Sequence, residues 1–150
     1  KFIEQSKMAK RMAKEAGKPD FKVMGAMTII PGETQEAAQA LLDHFEAGVD
    51  LKGLADLASG YEKNTKGFEK LSASSLAPLG GKDYKSVMPG AIVGSYDNLA
   101  EKIARQVSEA ELDGILLIVP DYISHLGQLG TRTLPRLAEY GIECKVGSTL

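Results

Sequence analysis

Residues 88–122, MPGAIVGSYDNLAEKIARQVSEAELDGILLIVPDY, constrain the fold of this chain more than any other stretch. Ala91, Ile92 and Val93 form a short apolar run that Gly94 interrupts, and Ser95 stands where a helix N-cap is expected. Tyr96, Leu99, Ala100, Ile103, Ala104 and Val107 recur at helical spacing, which predicts an amphipathic helix with Asp97, Glu101, Lys102 and Arg105 turned to water. Asp113-Gly114 then leads into Ile115, Leu116, Leu117, Ile118 and Val119. A strand without polar alternation is expected to be buried on both faces, as in a parallel sheet covered by helices. The stretch therefore predicts a βαβ unit and an α/β fold class.

Several function classes are excluded early. Eighteen Lys and Arg against twenty Asp and Glu give a net charge of −2, so no global field favours nucleic acid or an anionic membrane. No apolar run approaches the roughly 18 residues of a membrane-spanning helix. The basic N-terminal stretch lacks the apolar core and cleavage site of a signal peptide. The lone cysteine, Cys144, has no partner in the chain, which implies a reducing, cytoplasmic setting. Because Lys1 leads directly into helical pattern, an N-terminal part is expected upstream of it.

Taken in order, residues 2–16 predict a helix with Met8, Ala9, Met12, Ala13 and Ala16 on its buried face and Gly17 as its stop. Its cations are interrupted by Glu4 and Glu15 without interleaved aromatics, so they read as a solvated face. Residues 21–30, FKVMGAMTII, predict a strand ended by the turn Pro31-Gly32-Glu33, with Thr34 capping the next helix. Ala37, Ala38, Leu41, Leu42 and Phe45 trace that helix's buried face. His44 has no second ligand at i+3 or i+4, and no metal site is expected.

Leu51, Leu54, Ala55 and Ala58 suggest a further short helix. Residues 60–90 are expected to form an insertion or lid loop, since five glycines, two prolines and four serines fall in thirty-one residues. Tyr61, Phe68, Leu71, Leu76, Leu79 and Tyr84 give that loop apolar anchors, and Gly80-Gly81-Lys82 lacks the rest of a phosphate-loop pattern. Residues 122–140 predict a helix in two pieces, weakened by Gly127 and Gly130 and restarted or kinked at Pro135. Ile142 to Val146 fit a last strand or a tail. Cys144 lacks an activating partner and reads as a packing residue, and His125 as a capping or surface residue in a ligand-facing place.

In parallel α/β proteins ligands gather at the carboxyl ends of strands, where helix N-termini leave backbone N–H groups unopposed. The rule selects three turns here: residues 30–34, 94–96 and 120–122. Gly94 and Ser95 are the candidate cofactor-binding residues, because glycine admits a close ligand and serine can bond a phosphate as readily as its own helix. Asp121 and Tyr122 are candidates for a substrate contact, with Asp121 equally suited to capping the next helix.

At VGSYDNLAEKI, DGILLIVPDY and HLGQLGTRTLPRLAEYGIE the chain resembles the C-terminal part of the luciferase-like flavin-dependent monooxygenases, in the branch holding the pyrimidine and dimethyl sulfone monooxygenases. FKVMGAMTII and PGETQEAAQALLDHFEAG resemble the preceding strand and helix of that family. The resemblance implies the C-terminal portion of a (β/α)8 TIM-type barrel with a long insertion, residues 1–150 being one partial domain. It implies a monooxygenase that inserts one atom of O2 into a small organic substrate through a C4a-(hydro)peroxyflavin. The cofactor is then reduced FMN supplied by a separate flavin reductase, a deazaflavin being the other cofactor open. The resemblance also implies a homo-oligomer, with Gly94, Ser95, Asp121 and Tyr122 at the barrel mouth and the catalytic residues upstream of Lys1. A non-catalytic flavin-binding or scaffold relative of the same barrel is the alternative. An aldolase-like enzyme is disfavoured, because the only lysine in a predicted strand, Lys22, stands at an amino end.

Overall fold

The computed structural model describes residues 2–50, 52, 53, 56, 88 and 90–144. In chain order they form α1 (Phe2–Glu15), β1 (Met24–Gly32), α2 (Gln35–Ala47), β2 (Ile92–Ser95), α3 (Leu99–Ala110), β3 (Gly114–Ile118) and α4 (Tyr122–Gln128). A π-helical turn (Leu129–Thr133) and a 3-10 helix (Pro135–Tyr140) follow. The chain divides into two units, residues 1–39 with 91–150 and residues 40–90. In the second unit His44 meets Phe45 edge to face at 5.9 Å, and the Asp50 carboxylate accepts from Gly53 N at 2.9 Å. The predicted helix at Leu51, Leu54, Ala55 and Ala58 and the 60–90 insertion, Gly80-Gly81-Lys82 included, lie almost wholly outside the described residues.

The first unit is built on a parallel sheet. β1 pairs with β2 from Ile29↔Ile92 to Gly32↔Ser95, and with β3 from Met24↔Gly114 to Thr28↔Ile118. The strand order is thus β2-β1-β3. Successive strands are neighbours in a closed (β/α)8 barrel, whereas here β1 separates β2 from β3. Of its nine residues, the first five pair with β3 and the last four with β2. Pro31, which has no N–H to donate, is tolerated in this central strand because its position falls beyond the β3 pairing.

The βαβ unit is present with shifted boundaries. Gly94 does not break the strand but lies inside β2, paired with Pro31. A Cβ there would collide with Asn98 Oδ1 and stand 3.2 Å from Leu99, so glycine is what lets β2 approach the start of α3. Ser95 ends the strand, and a turn over Tyr96, Asp97 and Asn98 precedes the helix, whose cap position is Asn98. Ser95 Oγ accepts from Asn98 N at 3.3 Å, so the serine closes the turn and does not cap the helix. Leu99, Ala100, Ile103 and Ala104 are buried as their spacing predicts, packed with Met27, Ile29 and Ile92 of the sheet. Lys102 does not go to water: its ammonium donates to Gln35 Oε1 at 2.8 Å and to Val93 O at 2.6 Å, tying α2 to β2.

β3 departs most from expectation. Ile115, Leu117 and Val119 join the α3 core, but Leu116 is 62% and Ile118 41% exposed. An apolar run cannot distinguish a strand covered on both faces from one covered on a single face. On the other face Met24, Ala26, Leu116 and Ile118 are exposed, while Ile30 further along β1 is buried.

Helix α1 ends as predicted, with Gly17 at φ 74 and Lys18 N bonding back to Ala13 O at 2.8 Å. Its buried face differs. Met8 and Met12 are exposed, while Ser6 is buried and donates to Ala110 O at 2.6 Å, where the end of α3 offers an unpaired carbonyl. β1 begins at Met24, not residue 21, and runs through the turn expected at Pro31-Gly32. Thr34 Oγ1 accepts from Ala37 N at 3.1 Å, the expected cap of α2. Pro135 stands in the first turn of the 3-10 helix, which Gly141 closes at φ 75. Residues 142–144 carry no regular structure.

Candidate functional site

The carboxyl ends of the strands carry the densest polar cluster of the first unit. Glu33 follows β1, Tyr96 and Asp97 follow β2, and Asp121, Tyr122 and His125 follow β3. The π-helical turn brings Arg132 and Thr133 across to them. Such turns are frequent at functional sites, because the extra residue re-aims side chains.

Tyr96 is the centre of this cluster. Its ring is buried, 5% exposed, and its hydroxyl lies 2.8 Å from His125 Nδ1. Its backbone is held from both sides: Tyr96 N donates to Gly32 O at 3.0 Å, and the buried Thr133 hydroxyl donates to Tyr96 O at 2.7 Å. The Arg132 guanidinium sits 5.1 Å from the ring centroid in a cation–π arrangement. Burial and the nearby Glu33 carboxylate push the phenol above its ordinary range, partly offset by Arg132.

Arg132 links two strand ends. Its Nη1 meets Glu33 Oε2 at 2.7 Å and its Nη2 meets Asp97 Oδ2 at 2.7 Å. Hydrogen bonds from the guanidinium hold Asp97 below the usual carboxylate range, and Asp97 and Glu33 together raise the arginine further. Arg136 donates to Asp97 O, adding a second tie from the closing helix. Both arginines are thus committed to the protein's own acceptors.

The residues expected at the mouth are placed as follows. Gly94 is packed against Asn98 and Leu99 on the helix side of β2. Ser95 lies on the opposite face, half-exposed, with its hydroxyl in the turn hydrogen bond. Asp121 caps α4: Oδ1 accepts from Ile123 N at 2.9 Å and Ser124 N at 3.3 Å, and Oδ2 accepts from the Ser124 hydroxyl. Those bonds, led by the one from the Ser124 hydroxyl, hold its carboxyl low. Tyr122 is 54% exposed beside it. His125 is neither a cap nor a bare surface residue, being half-buried against Tyr96. Arg132, Thr133 and Arg136 carry no sequence signal of their own: they are ordinary polar residues that the fold brings to the ends of β1 and β2.

The similarity to known proteins follows the same segments. Pyrimidine monooxygenase RutA of Klebsiella pneumoniae (strain 342) is 30% identical over 107 residues, covering 71% of this chain and 29% of that protein. The structure of DmoA from Hyphomicrobium sulfonivorans shares the fold with a TM-score of 0.63 at 17% identity, over 93% of this chain and 36% of its own. The chain is a relative of the luciferase-like flavin monooxygenases. Within that family, riboflavin lyase RcaE, solved with modified FMN and substrate riboflavin, matches with a TM-score of 0.63 at 19% identity, over 95% of this chain and 37% of its own. No family model matches the chain. The luciferase-like barrel is therefore represented in part, since the chain spans between 29% and 37% of the length of these relatives. Among the described residues no helix is long and apolar enough to cross a membrane.

Proposed function

We propose that this chain forms the C-terminal part of a flavin-dependent monooxygenase, with the carboxyl ends of β1, β2 and β3 facing the flavin and substrate. The observation that carries the reading is the convergence of Tyr96, His125, Ser95 and Tyr122 at those ends, in a chain whose relatives include a pyrimidine monooxygenase. Bound reduced FMN, supplied by a separate reductase, would provide the electrons that activate O2 for insertion of one oxygen atom into a small organic substrate.

The described residues fit the ring of such a cofactor. The bare sheet face with Leu116 and Ile118 offers apolar surface, Tyr122 an exposed aromatic ring, and Ser95 and His125 polar atoms at the rim. They do not supply a cation for the phosphate, because Arg132 and Arg136 are already engaged. On this reading the phosphate is held by parts of the barrel upstream, and Gly94 shapes the rim through its backbone. The role of the described residues is to position the ring and exclude water from it. Oxygen uptake by the intact polypeptide carrying this segment, with a flavin reductase and NAD(P)H, tests the proposal. Uptake that rises with added substrate and yields a product one oxygen heavier supports it. Uptake equal to that of the reductase alone sinks it.

A further inference from the structure

We propose that Tyr96 is a positioning residue for His125: the buried phenol donates to Nδ1 and so presents the imidazole to the mouth with its proton on Nε2, as a donor to an oxygen of the bound flavin. The inference rests on the mouth being the flavin face, as proposed above.

A phenolic O–H at 5% exposure must keep an acceptor or lose the free energy of a buried polar group. His125 Nδ1, at 2.8 Å, is the acceptor that the structure provides. Burial disfavours the phenolate, so the hydroxyl keeps its proton, and with Nδ1 as its one hydrogen-bond partner among the described residues it is the donor of the pair. A neutral imidazole that accepts at Nδ1 carries its proton at Nε2. No hydrogen bond reaches Nε2 among the described residues, and the residue is half-exposed.

The phenol is well placed to hold this geometry. Gly32 O and the Thr133 hydroxyl fix its backbone, and Arg132 covers its ring, so the oxygen has little room to swing away. Charges face the pair from every neighbouring element: Glu33 after β1, Asp97 after β2, Asp121 at the start of α4, Arg132 in the π-helical turn and Arg136 in the 3-10 helix. Arg132 is neutralised by its two carboxylates, which lets it lie over the ring without drawing a ligand anion to itself.

The test is nitrogen-15 NMR of the histidine side chains in the intact polypeptide. Only two histidines are present in this segment, and the exposed His44 is the internal reference. At a pH where imidazoles are neutral, the expected result is His125 protonated at Nε2, with Nδ1 shifted from its position in His44 by the accepted bond. Tyr96→Phe, which removes one oxygen, should return Nδ1 towards the His44 position. A wild-type His125 protonated at Nδ1 overturns the proposal whatever becomes of the variant, as does a Tyr96→Phe spectrum identical to wild type. Addition of FMN should then move the His125 Nε2 resonance and leave His44 in place. FMN that binds without moving it removes the ligand-facing role. Failure to bind FMN at all refutes the function proposed above, while the tautomer still decides whether Tyr96 positions His125.

Discussion

Both faces of the three-stranded sheet are built from apolar residues, yet among the described residues they are covered unequally. On the first, Met27, Ile29 and Ile92 pack against Leu99, Ala100 and Ile103 of α3, with Ile29, Leu99 and Ile103 wholly out of contact with solvent. On the second, Ile30 is buried but Met24, Leu116 and Ile118 remain 64%, 62% and 41% exposed. The two faces differ in what completes them. The covered face is satisfied by local sequence, one helix following one strand. The bare face needs elements from elsewhere, as expected of a segment that spans about a third of its relatives' barrels.

The contrast can be broken by mutation. Ile103→Ala should lower the unfolding free energy by about 2–5 kcal/mol in chemical denaturation, the usual cost of an emptied core site. Leu116→Ala, measured at concentrations where the chain is monomeric, should change it by less than about 0.5 kcal/mol, as at an exposed position. Equal losses would show that the bare face is packed in solution. On the covered face Gly94→Ala should cost about 1–3 kcal/mol, since the new methyl group forces Asn98 and Leu99 to shift. A variant as stable as wild type would mean that β2 and α3 are less closely apposed. The bare face predicts association instead: the isolated 150-residue chain should elute ahead of a monomer in size-exclusion chromatography, and Leu116→Lys with Ile118→Lys should move it back towards one. A cooperatively folding wild-type monomer would contradict this.

The smallest effect is at the amino end of the sheet. Asp113 accepts from Val23 N at 2.9 Å and pairs with Lys10 at 2.9 Å, with Lys22 at 3.6 Å. The Val23 bond, then Lys10, lowers its carboxyl from 3.8 to about 2. A carboxyl depressed by folding stabilises the native state above its unfolded pKa, and that contribution fades as pH falls through the window from 3.8 to about 2. Asp113→Asn should therefore flatten the acid limb of the stability curve in that window and leave its neutral part sloping as before. An unchanged acid limb would show that the carboxylate is not ionised in this network.

How much of this was legible in the sequence follows from the range of the forces. The α3 face, the Gly17 stop, the Thr34 and Asp121 caps and Pro135 in a first helical turn depend on neighbours within a few residues, and periodicity and cap chemistry reveal them. The fate of Leu116 and Ile118 depends on what stands across the sheet, which an apolar run does not encode. The order β2-β1-β3 depends on pairings between strands distant in sequence, which no local pattern encodes. The candidate site was legible only at its rim. Glu33, Ser95, Tyr96, Asp121 and Tyr122 lie in turns that a topological rule picks out, whereas the contacts joining Glu33, Tyr96, His125 and Arg132 span wide separations in sequence. Tyr96 fits the helical spacing so well that it reads as a core residue of α3, and its hydroxyl bond to His125 lies outside any local pattern.

The central claim is that the carboxyl ends of this sheet face a flavin. Its most direct test is an anaerobic titration of the intact polypeptide with FMN and with reduced FMN, followed by flavin fluorescence and absorbance. Saturable binding of one flavin per chain, weakened in Tyr96→Phe and in His125→Gln by similar factors and not much further in the double variant, is the predicted result. Absence of saturable binding by either redox form would contradict the account.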